Sequence, residues 1–583
     1  MPYSVRETIL MSSESYPTPG SSNQTEVFAV HGADPEILAF AMAKYSRSAL
    51  SMRESLSEIS SQRAEQFLNT FYFQYGHRSI ADLAHIAFAV ERLSLLAAIV
   101  LVDEPRWDGQ ERSTRYQNFL KSGWYLPDFA ADTASRQLYT RTIETLFSAY
   151  ERTSAGVLEL LRGRVLRPEA MKPEAYERTL RARAFDVARY LLPLATNTSL
   201  GQIVSARTLE TQVSRLLSNP TAEVRYLGAK LREAATTPAW NLNAETAQVF
   251  VDKLAAEEAA FAVRPKPGPP MGETTWEDLG PASRPTDGVE IPHKKPEDLV
   301  PEGNLAAVAA ELLTRDVFAA PTLVKYAQPN PYLVETQGEL THVASEVFKN
   351  LPIATAPTVD LVELTESLEV ELAATLLYSA SHHPYRQIRD LVASWPSAHV
   401  AEIIEIGLHR RGRHDEALRA FHAGAALRFD ILMDIGGFRD MHRHRRCTQI
   451  IQGFTSVHGY ESPGSADLPA GIDILAEAGV ESEYRAAIET AHQSAAAIAG
   501  GSAPEAAQTA AYLFPLATRI RALFKMDFAE AQYISELRSA PAGHFSYRRI
   551  AWLMYLALQD RHPALASYIR VTDFTQPIDL FQR

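Results

Sequence analysis

A seven-residue phrase occurs twice in this chain, at comparable places in its first and second halves. YLLPLAT begins at Tyr190, and YLFPLAT begins at Tyr512. In each copy an arginine follows at a similar distance, Arg215 in the first and Arg538 in the second, and another predicted helix comes after it. Matching phrases at matching places indicate internal duplication, and coincidence between alanine- and leucine-rich helices is the alternative. The chain is therefore predicted to fold as two related units.

The length of 583 residues also indicates more than one hydrophobic core. Residues 264–304 are dense in proline, glycine and charged side chains, which is typical of a linker that buries little surface. We therefore predict a first domain over residues 1–263, a linker over 264–304 and a second domain over 305–583. Residues 1–25 are polar and are predicted to be a loose lead-in.

The composition is that of an ordinary globular protein, with 46% hydrophobic and 22% charged residues. A net charge of −13 argues against nucleic acid or a membrane surface as the main partner. The single cysteine, Cys447, excludes an intrachain disulfide and is predicted to be a buried, inert thiol. The N-terminal sequence lacks the apolar core of a signal peptide, and no run of 18 apolar residues follows. The sequence therefore predicts a cytoplasmic protein.

Helical periodicity dominates both halves. In the first half helices are predicted over Leu138–Leu161, Tyr176–Leu192, Gln202–Leu217 and Glu223–Ala234. The apolar run Leu83–Val102 is long for a strand and predicts a largely buried helix, with a following strand left open. In the second half helices are predicted over Glu481–Ala499 and Ala503–Tyr512. Residues 427–440, LRFDILMDIGGFRD, have an alternating pattern and lead into the basic segment described next.

The segment Phe438–Pro463 is the most basic part of the chain. Within eight residues it contains Arg439, His442, Arg443, His444, Arg445 and Arg446. Clustered guanidiniums repel one another, so the segment is predicted to surround something anionic and planar, such as a phosphate or a nucleotide. A solvated basic turn and a nucleic-acid patch are the alternatives. The guanidiniums would also repel a divalent cation, so no metal site is predicted.

The triplet Arg443-His444-Arg445 resembles the RHR signature of the flavin-dependent thymidylate synthases, the ThyX family. In the first half, Gly76-His77-Arg78-Ser79 matches the family's GH-x-S, and residues 111–116, ERSTRY, match its E-x-S-x-R-Y. Arg189, three residues before the Leu192-Pro193 pair, resembles the family's dUMP-binding arginine. The resemblance thus follows the order of the whole chain, although its strong motifs occupy a small part of it.

Each half departs from the family pattern at different places. In the first half, Asp103-Glu104-Pro105 stand where RHR belongs. In the second half, the serine and arginine of E-x-S-x-R-Y are replaced by Gly453 and Thr455, and two later arginines by Ala511 and Ala529. Because the losses do not overlap, we predict one composite site built from both halves. Arg115 and Arg443 should then approach one pocket.

The resemblance implies an α+β fold of two tandem ThyX-like domains, with helices around antiparallel sheet. It implies reductive methylation of dUMP to dTMP with FAD as cofactor and with methylenetetrahydrofolate and NADPH as co-substrates. A pseudo-dimer within the chain and a homodimer of chains are expected. The implied catalytic residues are Ser113 and Arg115, with Ser113 as phosphate ligand or polarised hydroxyl. The implied cofactor-binding residues are His77, Ser79, Arg207, Arg443, His444, Arg445 and His544. The implied substrate-binding residues are Glu111, Arg189, Arg215 and Arg538.

Two alternatives stay open at this point. The departures from the pattern favour a flavin- or nucleotide-dependent enzyme of the same fold that acts on another substrate. A catalytically inactive nucleotide-binding or scaffold protein is the other alternative, in which the arginines hold a ligand or pair with the many carboxylates.

Overall fold

The structure is a computed structural model. It describes residues 34–37, 39, 78–130, 132–241, 243–262, 305–324, 327–362, 367–410, 418–421, 427–464, 473–503, 505–567, 569–577 and 579–581. The predicted lead-in 1–25, the predicted linker 264–304 and the predicted site residue His77 lie outside the described residues. The division into domains 1–263 and 305–583 stays a prediction.

The first half contains three strands, six α-helices and two 3₁₀ helices within the described ranges. The strands are β1 His85–Ser94, β2 Asp108–Glu111 and β3 Asn197–Ser205. The α-helices are α1 Leu95–Leu101, α2 Thr133–Arg164, α3 Pro173–Ala188, α4 Ala206–Leu217, α5 Ala222–Thr236 and α6 Ala244–Ala262. The 3₁₀ helices are Arg78–Leu83 and Arg189–Leu191.

The described part of the second half repeats this order and adds elements before it. Its strands are β4 Val359–Leu361, β5 Leu427–Asp434, β6 Thr448–Ile451 and β7 Arg519–Met526. Its first helices are α7 Leu305–Leu313, α8 Pro331–Phe348, α9 Leu368–Ser379, α10 Tyr385–Ala393, α11 Ser397–Leu408 and the 3₁₀ helix Arg419–Phe421. The later helices are α12 Ile435–Met441, α13 Ile474–Glu477, α14 Glu481–Ala499, α15 Ala506–Ala511, α16 Phe528–Ser539, α17 Phe545–Arg561 and α18 Pro563–Ala566.

Each half has one antiparallel sheet, and the two sheets share an arrangement. The first sheet has the strand order β1-β3-β2, and the second has β4-β5-β7-β6. In both, a long strand is followed at once by a short helix: Ser94 caps α1, and Asp434 caps α12. The α+β fold of helices around antiparallel sheet is confirmed, and the duplication extends from the phrases to the topology.

The two repeated phrases pair with each other across the interface between the halves. The backbone N–H of Leu194 donates to the carbonyl of Phe514 (2.9 Å), and the N–H of Leu516 donates to the carbonyl of Leu192 (3.0 Å). Two further reciprocal bonds extend this pairing along both phrases. Because equivalent residues exchange equivalent bonds, the contact has the isologous form of a two-fold dimer interface within one chain.

Each half contains a buried hydrogen bond between a serine hydroxyl and a carboxylate. The helix cap supplies the serine in the first half and the carboxylate in the second half. In the first half, the Ser94 hydroxyl donates to Glu223 (2.6 Å). In the second half, the acid comes from the helix cap: the Ser546 hydroxyl donates to Asp434. Tyr512, the first residue of the second phrase, also donates to Glu223 (2.8 Å). These bonds connect each short helix to a later helix of its own half, and Tyr512 connects the two halves.

Two sequence predictions were wrong at strands. Residues 85–94 form β1 instead of a helix, because alternate side chains face the core and the strand pairs with β3. For the same reason residues 202–205 finish β3, and the helix begins only at Ala206. The helix predicted over Glu481–Ala499 is confirmed.

Buried apolar side chains form two clusters. The larger cluster contains residues of both halves, including Leu194 and Leu516 from the paired phrases. The smaller cluster, which includes Leu340, Tyr385 and Val400, lies entirely within the second half. None of the helices in the described ranges is long and apolar enough to cross a membrane.

We predict that Asp434 makes stability depend on pH. It is 1% exposed, and burial raises its pKa to about 6. Since the folded pKa lies above the unfolded value, its contribution is full below about pH 4 and is lost as the pH rises towards 6. Asp434→Asn should therefore gain stability relative to the wild type, by up to about 3 kcal/mol between pH 4 and 7. Chemical denaturation at both pH values measures the difference.

Asp473→Asn is the matched control, because Asp473 also caps a helix but is exposed. Its stability relative to the wild type should change little between the two pH values. A constant difference between Asp434→Asn and the wild type would contradict the account.

Candidate composite site at the interface of the two halves

The candidate site is built around two segments, one from each half of the chain. One follows strand β2 and the other follows helix α12. Glu111 ends β2, and the ERSTRY segment continues from it as a loop. On the other side, α12 ends at Met441, and Arg443-His444-Arg445 form the turn before β6. The Arg112 N–H donates to the carbonyl of Ser199, three residues past the first phrase (2.9 Å), and the Gly436 N–H of α12 donates to the carbonyl of Leu516 in the second phrase (3.0 Å). The pairing of the phrases therefore brings the two segments together.

Arg115 of the first half is held by groups from both halves. Its guanidinium donates to both carboxylate oxygens of Asp186, at 2.7 and 3.1 Å. It also donates to the Tyr547 hydroxyl (3.1 Å) and to the Ala542 carbonyl (3.2 Å), both from the second half. Burial opposes ionisation of Asp186, but Arg115 holds the pKa of this carboxyl well below its usual range.

Arg189 reaches the helix that carries the basic segment. Two of its nitrogens donate to one oxygen of Asp440, at 3.0 and 3.1 Å. Burial alone would raise the pKa of Asp440, yet the charges of Arg189, Arg115 and Arg443 bring it below the usual value. Asp440 therefore interacts with arginines of both halves, and its surroundings contain both Arg115 and Arg443.

A second ion pair crosses the interface at Arg439, the residue of α12 that precedes Asp440. Arg439 pairs with Glu111, and both side chains are mostly buried. The Ser113 hydroxyl accepts a hydrogen bond from the backbone N–H of Arg115 (3.3 Å), which shapes the loop. None of the hydrogen bonds described for Ser113 comes from a side chain that could act as its base.

His444 is fixed inside the second half. Its Nε2 accepts from Arg538 (2.7 Å), so Nδ1 carries the proton and donates to Glu530 (3.2 Å). Burial lowers the pKa of His444. Arg538 in turn lies over the ring of Tyr547, 5.5 Å from its centre, and so connects His444 to the partner of Arg115.

Arg443 and Arg445 differ from the other arginines of the site. In the part of the chain that the structure describes, Arg443 is exposed and makes no hydrogen bond or ion pair. Arg445 lies over the ring of Trp107 from the first half, 5.1 Å from its centre. Burial, together with the charges of Arg419 and Arg443, lowers the pKa of Arg445 to about 10, against the opposing effect of Asp103 and Glu104. Among the described residues, neither Arg443 nor Arg445 forms an ion pair with a carboxylate.

A cleft of about 190 Å³ adjoins Arg445 and Arg446. It is lined by Asp103, Glu104, Pro105, Arg419, His442, His444, Arg445, Arg446, Cys447, Thr448 and Gln449. Two carboxylates, Asp103 and Glu104, share this lining, and Arg445 is the guanidinium there without an ion pair among the described residues, so it is the group available to an anion such as a phosphate. Arg443 and Arg445 are thus suited to hold the phosphates of a flavin nucleotide, whereas His444 is already engaged.

The remaining predicted residues lie elsewhere or are occupied. Arg207 pairs with Asp82 (3.0 Å), whose 3₁₀ helix also contains Ser79. Arg215 pairs with Glu104 (2.7 Å), in the segment that replaces RHR. His544 is fully buried: its Nδ1 accepts from the Ser546 N–H, and its Nε2 donates to the Asp186 carbonyl (2.9 Å). His544 thus positions the partner of Arg115.

Sequence reasoning missed the acidic members of the site, Asp186 and Asp440, and the phenol of Tyr547. No local pattern in the sequence indicated the two acids, because Asp186 pairs with Arg115 and Asp440 pairs with Arg189, which are distant in the chain. Cys447 is buried, and burial raises the pKa of its thiol to about 12. No group of three or more potential metal ligands occurs among the described side chains.

Comparison with known proteins agrees with the duplication. The family model described as thymidylate synthase complementing protein matches residues 27–238 and again residues 361–564. The chain is similar to a UPF0159 protein of Chlamydia muridarum, with 27% identity over 93% of this chain and 91% of that protein. It is also similar to a UPF0159 protein of Chlamydia pneumoniae, with 25% identity over 95% and 93% of the two chains.

A third relative is a UPF0159 protein of Thermoplasma acidophilum, with 23% identity over 91% of this chain and 94% of that protein. Among solved structures, the UMP/dUMP methylase PolB from Streptomyces cacaoi, bound with 5-Br dUMP, matches at 18% identity and a TM-score of 0.26. That match covers 35% of this chain and 87% of PolB. The two regions matched by the family model make up more than half of the chain. The protein therefore belongs to the thymidylate synthase complementing protein family, as a tandem member with two ThyX-like regions.

Proposed function

We propose that the protein is a flavin-dependent enzyme that methylates a uracil nucleotide, converting dUMP to dTMP. Methylenetetrahydrofolate would supply the carbon and NADPH the reducing equivalents. The observation that supports this proposal is the meeting of the two half-patterns. Arg115 of ERSTRY contacts Tyr547, and Glu111 pairs with Arg439, four residues before Arg443. A cytoplasmic location and a homodimer of chains stay predictions.

In this proposal Arg443 and Arg445 hold the anionic groups of FAD. Arg443 is exposed, Arg445 lines the cleft, and neither forms an ion pair among the described residues, so both are available to charge-assisted hydrogen bonds. Bound FAD would supply hydride transfer to the carbon that becomes the methyl group. His444 would act indirectly, because its contacts with Arg538 and Glu530 fix the turn between the two arginines.

The nucleotide would lie against Arg115, Arg189 and Arg538, which Tyr547 and Asp440 bring to one place. Glu111 and Ser113 would shape this end of the pocket. Arg115 and Arg189 are 8% and 1% exposed, so the site has to open before a phosphate can reach them. Such an opening is common where binding closes a site around its substrate.

A second candidate keeps the fold and the flavin but changes the substrate. Asp186 and Asp440 already neutralise Arg115 and Arg189, and a phosphate dianion would have to compete with these carboxylates. Placing a dianion among paired charges costs desolvation without leaving a free partner. This observation favours a substrate without a phosphate, such as a nucleoside.

We predict that the purified protein binds FAD and that Arg443→Ala and Arg445→Ala each weaken binding at least tenfold. A charge-assisted hydrogen bond is worth about 1.5–3 kcal/mol. Titration followed by flavin fluorescence gives the dissociation constants. Arg164→Ala is the matched control, since its side chain is 58% exposed, pairs with Glu477 and lies outside the lining of the cleft. Equal losses for all three variants, or no FAD binding by the wild type, would refute the assignment.

Tritium release tests the reaction itself. With FAD, NADPH and methylenetetrahydrofolate, the wild type should release tritium from dUMP labelled at C5, because methylation replaces that hydrogen. Arg115→Ala should reduce release at least a hundredfold, as it removes a buried guanidinium from the nucleotide end of the site. Flavin binding without tritium release would reject dUMP methylation and leave the second candidate.

Asp440→Asn separates the two substrate classes. If a phosphate binds at Arg189, removing the competing carboxylate should tighten dUMP binding about tenfold while deoxyuridine binding stays unchanged. Calorimetric titration of both ligands measures this selectivity. Asp390→Asn is the control, because Asp390 is exposed and pairs only locally with Arg389. Unchanged or weaker dUMP binding in Asp440→Asn would show that no phosphate binds at Arg189.

A further inference from the structure

Arg445 has a different kind of partner from other arginines of the composite site. Arg115, Arg189 and Arg439 each pair with a carboxylate. Arg445 instead lies over the ring of Trp107, 5.1 Å from its centre, and makes no hydrogen bond or ion pair among the described residues. A carboxylate accepts the N–H groups of a guanidinium, whereas a ring attracts the cation through its π face. The contact with Trp107 therefore leaves the N–H donors of Arg445 available.

The ring of Trp107 is fixed in place by the first half of the chain. It is 9% exposed, and its Nε1 donates to Oε1 of Gln202 (2.7 Å). The amides of Gln202 and Gln212 hydrogen-bond to each other, and Nε2 of Gln212 donates to the carbonyl of Leu101 (2.9 Å). A Cβ at Gly109 would come within 2.5 Å of two ring atoms, so β2 packs directly against the ring. These contacts give the ring one orientation.

The ring contacts Arg445 from outside the cleft. Arg445 is one of the residues that line the cleft of about 190 Å³, whereas Trp107 is not. The ring therefore takes up no space where a ligand would lie. It holds the guanidinium at the wall of the cleft, where the N–H donors can meet an anion.

The carboxylates of the same lining are engaged with other arginines. Asp103 pairs with Arg419, and Glu104 pairs with Arg215. Neither forms an ion pair with Arg445 among the described contacts. A phosphate that enters the cleft can thus bind Arg445 without first displacing a carboxylate from it, which would cost desolvation.

The duplication allows this contact on one side of the interface only. Helices α1 and α12 are equivalent, and counting from their caps gives Trp107 the place of Cys447 and Arg445 the place of Pro105. The equivalent pair on the other side, Cys447 and Pro105, has neither an aromatic face nor a guanidinium. One half supplies the arginine, and the other half supplies the ring that holds it.

We propose that Trp107 is a positioning residue for phosphate binding by Arg445. Its ring holds the guanidinium beside the cleft without occupying the N–H donors, which bind the pyrophosphate of the flavin nucleotide. The assignment to flavin rests on the proposed function, whereas the effect of the ring on Arg445 applies to any phosphate in the cleft.

Substitutions at Trp107 test the role of the aromatic face. Trp107→Leu removes the face and should weaken FAD binding about fivefold, whereas Trp107→Phe keeps a ring and should stay within about twofold of the wild type. Titration followed by flavin fluorescence measures both. Trp395→Leu is the matched control, because Trp395 also stacks on a planar side chain, His399 (4.0 Å between ring centres), but packs against the smaller apolar cluster. Its FAD affinity should equal that of the wild type.

A double-mutant cycle separates positioning from general support of the fold. In the Arg445→Ala background, Trp107→Leu should change FAD affinity by less than about twofold, because the ring acts through Arg445. A purely structural role would give equal losses in both backgrounds. Circular dichroism and the thermal midpoint verify that each variant is folded.

A spectroscopic measurement on the wild type needs no substitution at the ring itself. The protein is labelled with 5-fluorotryptophan at its six tryptophans, and Trp107→Phe and Trp395→Leu identify two of the fluorine signals. Inorganic pyrophosphate, which has no ring of its own, should shift the Trp107 signal and leave the Trp395 signal unchanged. The shift should be absent in Arg445→Ala.

The two ligands distinguish failure of this inference from failure of the proposed function. If pyrophosphate shifts the Trp107 signal but FAD does not bind, the flavin assignment fails and the positioning role stands. Unchanged FAD affinity in folded Trp107→Leu would overturn the inference, as would equal losses for Trp107→Leu and Trp107→Phe. A Trp107 signal that pyrophosphate does not shift, or shifts equally in Arg445→Ala, would also overturn it.

Discussion

The antiparallel pairing of the two repeated phrases is the contact on which the rest of the structure depends. Its backbone hydrogen bonds join Leu192–Leu194 to Phe514–Leu516 within the larger apolar cluster. These hydrogen bonds are buried, so breaking one of them leaves a donor and an acceptor without a water partner. The free energy lost is therefore larger than for an exposed hydrogen bond. The pairing fixes the two sheets relative to each other, and it sets ERSTRY opposite the basic turn. Without that register the two segments of the candidate composite site would not lie opposite each other.

Duplication allowed the two sides of the interface to diverge in charge while remaining complementary. At one end, Arg115 and Arg189 meet Asp186 and Asp440, and at the other end Asp103 pairs with Arg419. An unpaired buried charge would cost several kcal/mol, so a change of sign on one side is tolerated only with a matching change on the other. Asp103-Glu104-Pro105 therefore do more than replace an RHR motif. Asp103 pairs with Arg419, and Glu104 pairs with Arg215.

The sequence predicted the duplication and the α+β class, because repeated phrases and motif order survive in linear form, whereas one composite site shared by the two halves stays a prediction. It did not predict β1, because the residues around Val90 form a nearly continuous apolar run. The alternation of buried and exposed side chains in β1 follows from its pairing with β3. It also missed the acids beside Arg115 and Arg189, because an ion pair between distant residues leaves no local pattern. Whether Arg207 or His544 touches a cofactor stays a prediction, and both are engaged within the protein.

The central claim is that two incomplete halves form one flavin site. The most direct test is the number of FAD molecules bound per chain at saturation, from the flavin absorbance and the protein concentration of the same sample. The account predicts one FAD per chain, since Arg443 and Arg445 occur only in the second half and their counterparts are Asp103 and Pro105. Two FAD molecules per chain would show that each half has its own site, and none would remove the flavin from the account.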